Sequence, residues 1–284
     1  MKFAHFLLPL SAVLLLAGCK NSLESEDEKQ ARENDRLLQE YATANNLTPT
    51  KTATGLYHQI FPGGGTRKPQ VGEQVTMRLV GRRLDGFVFD STSFNTARTV
   101  PGIFGINRFG LPGLEEGVSL MAPGDSAVLL MPYYLAYGSR SYTTLPAYSP
   151  VRYDVKVVAV RNETEQIDAY LADKNLTPTQ RTSDGLVFIR TSPETTGARP
   201  TTGQSARVTY SAQSLSGTEF DFGTRNFTIG GNNIKGFDEG LRLLRVGEKA
   251  RILFPSALGY GTASSQSIPG YTPLTFEIEI VSIQ

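Results

Sequence analysis

The stretch Ile234-Lys235-Gly236-Phe237-Asp238-Glu239-Gly240-Leu241, with Leu258-Gly259-Tyr260-Gly261 after it, decides how the chain folds. Phe237, Leu241 and Leu244 recur at i, i+4 and i+7, which puts them on one face of a short helix entered through a glycine turn. Asp238 and Glu239 fall in its first turn, where carboxylates suit the positive end of the helix dipole, and Gly247 closes it. The same two motifs stand earlier as Leu111-Pro112-Gly113-Leu114-Glu115-Glu116-Gly117-Val118 and Leu135-Ala136-Tyr137-Gly138. The offset is 123 in both, since 236 minus 113 equals 260 minus 137, so the chain is a tandem repeat.

Working outward, 284 residues suffice for two domains, each able to bury a core. With 28 Lys plus Arg against 27 Asp plus Glu, the chain has no basic excess for phosphate contacts, which argues against nucleic acid as a partner. The one cysteine cannot form an internal disulfide, and neither His5 nor His58 sits in a ligand cluster, so no metal or other cofactor is expected.

Residues 1–19 carry Lys2, an apolar run from Phe6 to Ala17 and small residues before Cys19. The run is too short to span a bilayer, which takes roughly 20 apolar residues, and suits a signal peptide. Leu16-Ala17-Gly18-Cys19 resembles the bacterial lipobox, which implies acylation of Cys19; an ordinary signal peptide with an incidental cysteine is the alternative. Lys20 is not the aspartate associated with inner-membrane retention, which points to the outer membrane. Residues 20–36 are polar, with Glu24, Glu26, Asp27 and Glu28 close together, and read as a disordered tether.

A helix is expected from Leu37 to Ala44, ended by Asn46-Leu47-Thr48-Pro49-Thr50. That phrase returns as Asn175-Leu176-Thr177-Pro178-Thr179 after a helix whose Ile167, Tyr170 and Leu171 share a face. The duplicated unit thus includes a leading helix, expected to pack on its own domain. The expected boundaries are 37–160 and 161–284. Val75, Met77 and Leu79 alternate with polar residues, as do Val208 and Tyr210. The terminal strands are clearer, with Val151, Tyr153, Val155 and Val157 in one and Leu274, Phe276, Ile278 and Ile280 in the other. Each unit should be α+β, an antiparallel sheet with one packed and one wet face wrapped over a short helix.

The order Val208-Thr209-Tyr210, Gly217-Thr218-Glu219-Phe220-Asp221, Ile234 to Leu241, Leu258 to Gly261, Ile268-Pro269 and Leu274-Thr275-Phe276-Glu277 resembles the FK506-binding-protein (FKBP) type of peptidyl-prolyl isomerase. The first copy resembles a second such domain, and together the likeness covers about residues 55–160 and 185–284. The resemblance implies rotation of the peptide bond before proline in exported proteins, with no covalent intermediate and no cofactor. The chemistry fits the residues: rotation loses amide resonance, and a dry aromatic cavity favours the less polar twisted amide.

Carried over from the family, the second pocket comprises Tyr210, Phe220, Asp221, Ile234, Phe237, Tyr260, Ile268 and Phe276. Phe237 would be the floor under the proline ring, with Tyr210, Phe220 and Phe276 as walls. Tyr260 and the backbone N–H of Ile234 would bind substrate carbonyls, and Asp221 would stand beside the rotating one. The first copy offers Phe89, Asp90, Leu111, Leu114, Tyr137, Leu145 and Tyr153, a depleted pocket, because Leu114 replaces the floor aromatic and Leu79 replaces Tyr210. From Asp90 to Gly113 is 23 positions but from Asp221 to Gly236 only 15, so the second copy has a shorter loop there, and whether Phe227 replaces the wall it lacks is open. Three readings follow: an isomerase active chiefly in its second domain, a chaperone module that holds proline segments without turnover, or a purely structural first domain that serves as a spacer lifting the second away from the membrane.

Overall fold

The computed structural model describes residues 24–92, 100–106, 109–265 and 268–284. The lipobox and Cys19 lie outside them. Two antiparallel sheets organise the described residues. The first runs β1 (Thr50–Lys51), β2 (Tyr57–Phe61), β6 (Ser126–Met131), β7 (Val151–Arg161), β3 (Gln74–Arg83) and β4 (Val88–Ser91), with β5 (Val100–Ile103) also on β3. The second runs β8 (Gln180–Arg181), β9 (Val187–Arg190), β12 (Lys249–Phe254), β13 (Leu274–Ile283), β10 (Ser205–Ser214) and β11 (Glu219–Thr228), in the same order. The repeat is therefore a repeat of topology. It also explains the shortened loop. In the first copy the segment after Asp90 is split into β4 and β5, whereas in the second one continuous β11 pairs along the whole of β10.

Each sheet curls over one short helix, α2 (Pro112–Ser119) or α4 (Lys235–Leu243). The helices press so close to the sheet that only glycine fits at the contact. A Cβ on Gly236 would lie 2.5 Å from the Phe254 ring, and one on Gly113 would lie 2.5 Å from Met131 Sδ. The expected alternating residues Val75, Met77, Leu79, Tyr153, Val208, Tyr210, Phe276 and Ile278 all point into these cores. Apolar burial of this kind contributes about 25 cal/mol per Å2.

The opposite sheet face is not left wet, as period-2 alternation had suggested. Leading helix α1 (Glu26–Ala44) covers Tyr57, Val128 and Leu130 with Leu38 and Ala42. Helix α3 (Glu163–Asp173) covers Val187, Ile189 and Leu253 with Ile167 and Leu171. Both helices end on an asparagine with positive φ, Asn46 at 53° and Asn175 at 52°, a conformation asparagine tolerates.

The tether expected over 20–36 is corrected for residues 26–36, which are helical. Ser25 and Glu28 form a capping box, Ser25 Oγ accepting from the Glu28 N–H at 3.2 Å and Glu28 accepting from the Ser25 N–H at 2.9 Å. The missing apolar periodicity is replaced by a polar anchor. Asn34 is buried, accepts from the Tyr133 N–H at 2.9 Å and donates to the Tyr148 carbonyl at 3.0 Å. In the second repeat Glu163 accepts from the Ser256 hydroxyl at 2.7 Å at the corresponding place, and α3 starts there, whereas α1 extends further toward its N-terminus. Among the described residues no helix is long and apolar enough to cross a membrane.

Candidate functional site

Two neighbouring strand residues ordinarily face opposite sides of a sheet, yet Phe220 and Asp221 both face the concave side. A β-bulge brings this about. Ala212 pairs with Asp221 and Gln213 with Glu219, so Phe220 is the extra residue of β11. The first repeat has the same irregularity, with Gly81 opposite Asp90 and Arg82 opposite Val88, leaving Phe89 as the extra residue.

In the second repeat the bulge completes a ring cluster. Phe237 lies 5.3 Å from Phe276, 5.8 Å from Tyr210 and 4.9 Å from Phe227, and Phe220 lies 6.0 Å from Phe276 and 6.3 Å from Tyr260 between centroids. Most of these pairs are edge-to-face, the arrangement that ring quadrupoles favour. Ile268 is buried in the same cluster and Ile234 packs against it. The missing wall is supplied by Phe227, which also stands 5.4 Å from Tyr210. The sequence left open whether Phe227 replaces that wall; its register opposite Ala206 puts it on the concave side of β11.

The polar rim is equally defined. The Tyr210 hydroxyl donates to Asp221 Oδ2 at 2.8 Å, and Arg225 pairs with Asp221 at 3.1 Å while lying 5.7 Å from the centre of the Tyr210 ring. Burial, then the Asp221 carboxylate, pushes the Tyr210 phenol up to about 12. Tyr260 is 37% exposed and its hydroxyl has no hydrogen-bond partner among the described residues. Its pKa too is raised, by burial first and by Asp221 second. The Ile234 N–H, just before α4, is likewise unpaired among the described residues. Asp238 fixes that entry by accepting from the Gly230 N–H at 2.7 Å and from Arg242 at 2.8 Å.

The first repeat solves the same problem differently. Leu79 and Tyr153 stand where the second has Tyr210 and Phe276, so the hydroxyl for the acid comes from the last strand. Tyr153 donates to Asp90 at 2.9 Å, and since it has one proton, Tyr137 must donate to Tyr153 across 2.7 Å. Burial drives the Tyr153 phenol far up and raises Tyr137 as well. The Tyr137 hydroxyl is therefore committed within the protein. A cavity of about 430 Å3 opens beside Asp90, Leu111, Leu114, Tyr137 and Tyr153, and Phe109 and Met77 join its lining. Phe89 supports the two tyrosines at 5.5 and 5.9 Å, and Leu145 is buried in the core. Gly81 allows this packing, because a Cβ there would meet Tyr153 at 2.8 Å and Phe89 at 2.9 Å.

Known proteins resemble this chain in sequence. Peptidyl-prolyl cis-trans isomerase FKBP9 of Bos taurus is 32% identical over 232 residues, 79% of this chain and 37% of that protein. The FKBP-type isomerase FkpA of Aeromonas hydrophila is 32% identical over 139 residues, 48% of this chain and 50% of that protein. The crystal structure of FkpA from Escherichia coli aligns at 26% identity and a TM-score of 0.40, covering 47% of this chain and 62% of that one. The chain thus spans about two fifths of the length of the FKBP9 it matches. The family model described as FKBP-type peptidyl-prolyl cis-trans isomerase matches residues 65–158 and again 197–281, each range holding one short helix and most of one sheet, and the chain belongs to that family.

Proposed function

We propose that the chain is a peptidyl-prolyl cis-trans isomerase whose second repeat, 162–284, is the principal site of turnover, the first ending with β7 at Arg161. One observation carries this: the Tyr260 hydroxyl is unpaired beside a ring cluster edged by Asp221, while its counterpart Tyr137 is spent on Tyr153. A proline ring against Phe237, Phe220 and Phe276 leaves its preceding carbonyl at the Asp221 rim. Tyr260 and the Ile234 N–H then hold flanking carbonyls. The uncatalysed rotation has a barrier of about 18–20 kcal/mol. Aromatic walls that exclude water favour the twisted amide, and no covalent step is needed. The test is exchange NMR of an X-Pro peptide with the full chain. Tyr260→Phe should lower catalysed exchange by about tenfold, the worth of one hydrogen bond, and Tyr137→Phe by less than about twofold. The reverse pattern would move the active site to the first repeat.

A second reading, capture without turnover, is favoured by two features. Phe237 is only 3% exposed, with Phe227 packed over it, and Arg225 neutralises Asp221. Folded native protein that binds proline peptides without accelerating exchange would establish it.

We further infer export and lipid anchoring at Cys19, on the Leu16-Ala17-Gly18-Cys19 motif. Proline-containing segments of exported proteins are then the substrates, at the outer membrane. Ser25, the cap of α1, is six positions after Cys19, so the first repeat would be held within about 20 Å of the bilayer. Incorporation of labelled palmitate that Cys19→Ser abolishes is the expected result.

A further inference from the structure

The two repeats meet through specific contacts. Arg67 of the first pairs bidentately with Glu165 of α3, at 2.9 and 3.0 Å, and Gly72 lies so close to Tyr271 that a Cβ would be 2.3 Å from its ring. Beside these contacts lies a cavity of about 410 Å3, within the range of about 300–1,000 Å3 usual for binding pockets. The first repeat contributes Pro101 and Ile103 of β5, α3 contributes Gln166, and the second repeat contributes the β10–β11 turn around Ser216 together with Phe220 and Ile268.

Three properties of this cavity bear on what it takes. It adjoins the ring cluster of the second repeat, because Phe220 and Ile268 line it and also pack in that cluster. None of the residues lining it carries an ionisable side chain. Its polar groups are hydroxyls and carboxamides. Gln166 is 7% exposed and makes one long bond, 3.4 Å to the Arg161 carbonyl, leaving its carboxamide oxygen without a partner among the described residues. Such a lining suits a chain segment that offers backbone amides and uncharged side chains, and it penalises a charge, which would lose its hydration with nothing to pair with.

We propose that this inter-repeat cleft is an extended substrate subsite, which binds the uncharged stretch of polypeptide flanking the proline held in the second repeat. The assignment rests on the reading that the second pocket receives proline. It makes the first repeat part of the substrate site of the second, and it makes longer chains better ligands than short peptides.

The test uses the full chain. A fluorescein-labelled peptide of about twelve residues, Leu-Pro at the centre and Ala, Ser, Gln and Leu elsewhere, is titrated by anisotropy against native protein and against Ile103→Asp and Ser216→Lys. Both changes lie outside the proline pocket, and Ser216 is in an exposed turn, where substitution spares the fold. Each variant should bind the long peptide about tenfold more weakly, while exchange of a four-residue Leu-Pro peptide stays within about twofold. Asp or Lys placed beside the Leu-Pro of the long peptide should weaken binding to native protein by a similar factor. Unchanged affinity in both variants, or equal losses with short and long peptides, would overturn the subsite. Failure of native protein to accelerate any peptide would instead overturn the isomerase reading, and anisotropy would still report on the cleft.

Discussion

The two repeats share strand order, bulge and helix, yet they deliver a hydroxyl to their acid from opposite sides. In the second, Tyr210 on β10 donates to Asp221 and Phe276 on β13 is a plain wall; in the first, Leu79 stands on β3 and Tyr153 on β7 donates to Asp90. The swap keeps one hydrogen-bonded carboxylate beside each ring cluster. Its side effect is on the next tyrosine. Tyr153 reaches Tyr137 and occupies its proton, whereas Phe276 leaves Tyr260 unengaged. A duplicated pocket can therefore keep its shape and lose a substrate donor through a change one strand away.

The largest effect that would test this contrast is expected from Phe237→Ala, which removes a ring that three other aromatics touch. A loss of about 3–5 kcal/mol in urea unfolding of the second repeat is expected, with isomerisation lost alongside. Leu114→Ala should destabilise the first repeat by about 2–5 kcal/mol and leave turnover within about twofold. Equal losses of turnover from the two would erase the distinction between the pockets.

Tyr153→Phe sharpens the contrast further, since it makes the first pocket resemble the second at β7. It should release Tyr137, cost about 0.5–1.5 kcal/mol through the lost hydrogen bond to the solvent-exposed Asp90, and be offset when Leu79→Tyr supplies a hydroxyl from β3. Exchange NMR of the double variant should show added catalysis; none would mean that Tyr137 is not what the first repeat lacks.

The alkaline limb offers a smaller signal. The Tyr210 phenol is raised above its unfolded value of about 10 to about 12, so its neutral form is favoured by folding. Its contribution is complete below about pH 10 and is lost as pH rises toward 12. Urea midpoints measured from pH 9 to 12 should fall less steeply in Tyr210→Phe than in native protein. Smallest of all should be Ser25→Ala, about 1 kcal/mol in the stability of the first repeat, through loss of the α1 cap.

Much of this was legible in residue order. Phe237, Leu241 and Gly236 specified a short helix against a sheet, and the terminal strands declared themselves by alternation. Less legible were residues 26–36, because α1 is held there by polar means. Ser25-Glu26-Asp27-Glu28 was a readable capping box, but the burial of Asn34 depends on the Tyr133 N–H and the Tyr148 carbonyl, about a hundred residues away. Phe227 was uncertain for a related reason. Its place follows from β11 running unbroken along β10, a consequence of pairing.

By itself the sequence determined the duplication and the strand and helix periods, since these depend on local spacing and side-chain chemistry, while the likeness to the family nominated the pocket residues. Only the tertiary structure decided which tyrosine hydroxyl is spent and which is available, and that Phe220 belongs at once to the ring cluster and to the lining of the cavity between the repeats. Both depend on distances of a few ångströms between strands that are far apart in the chain, and hydrogen bonds and ring contacts are sensitive on that scale.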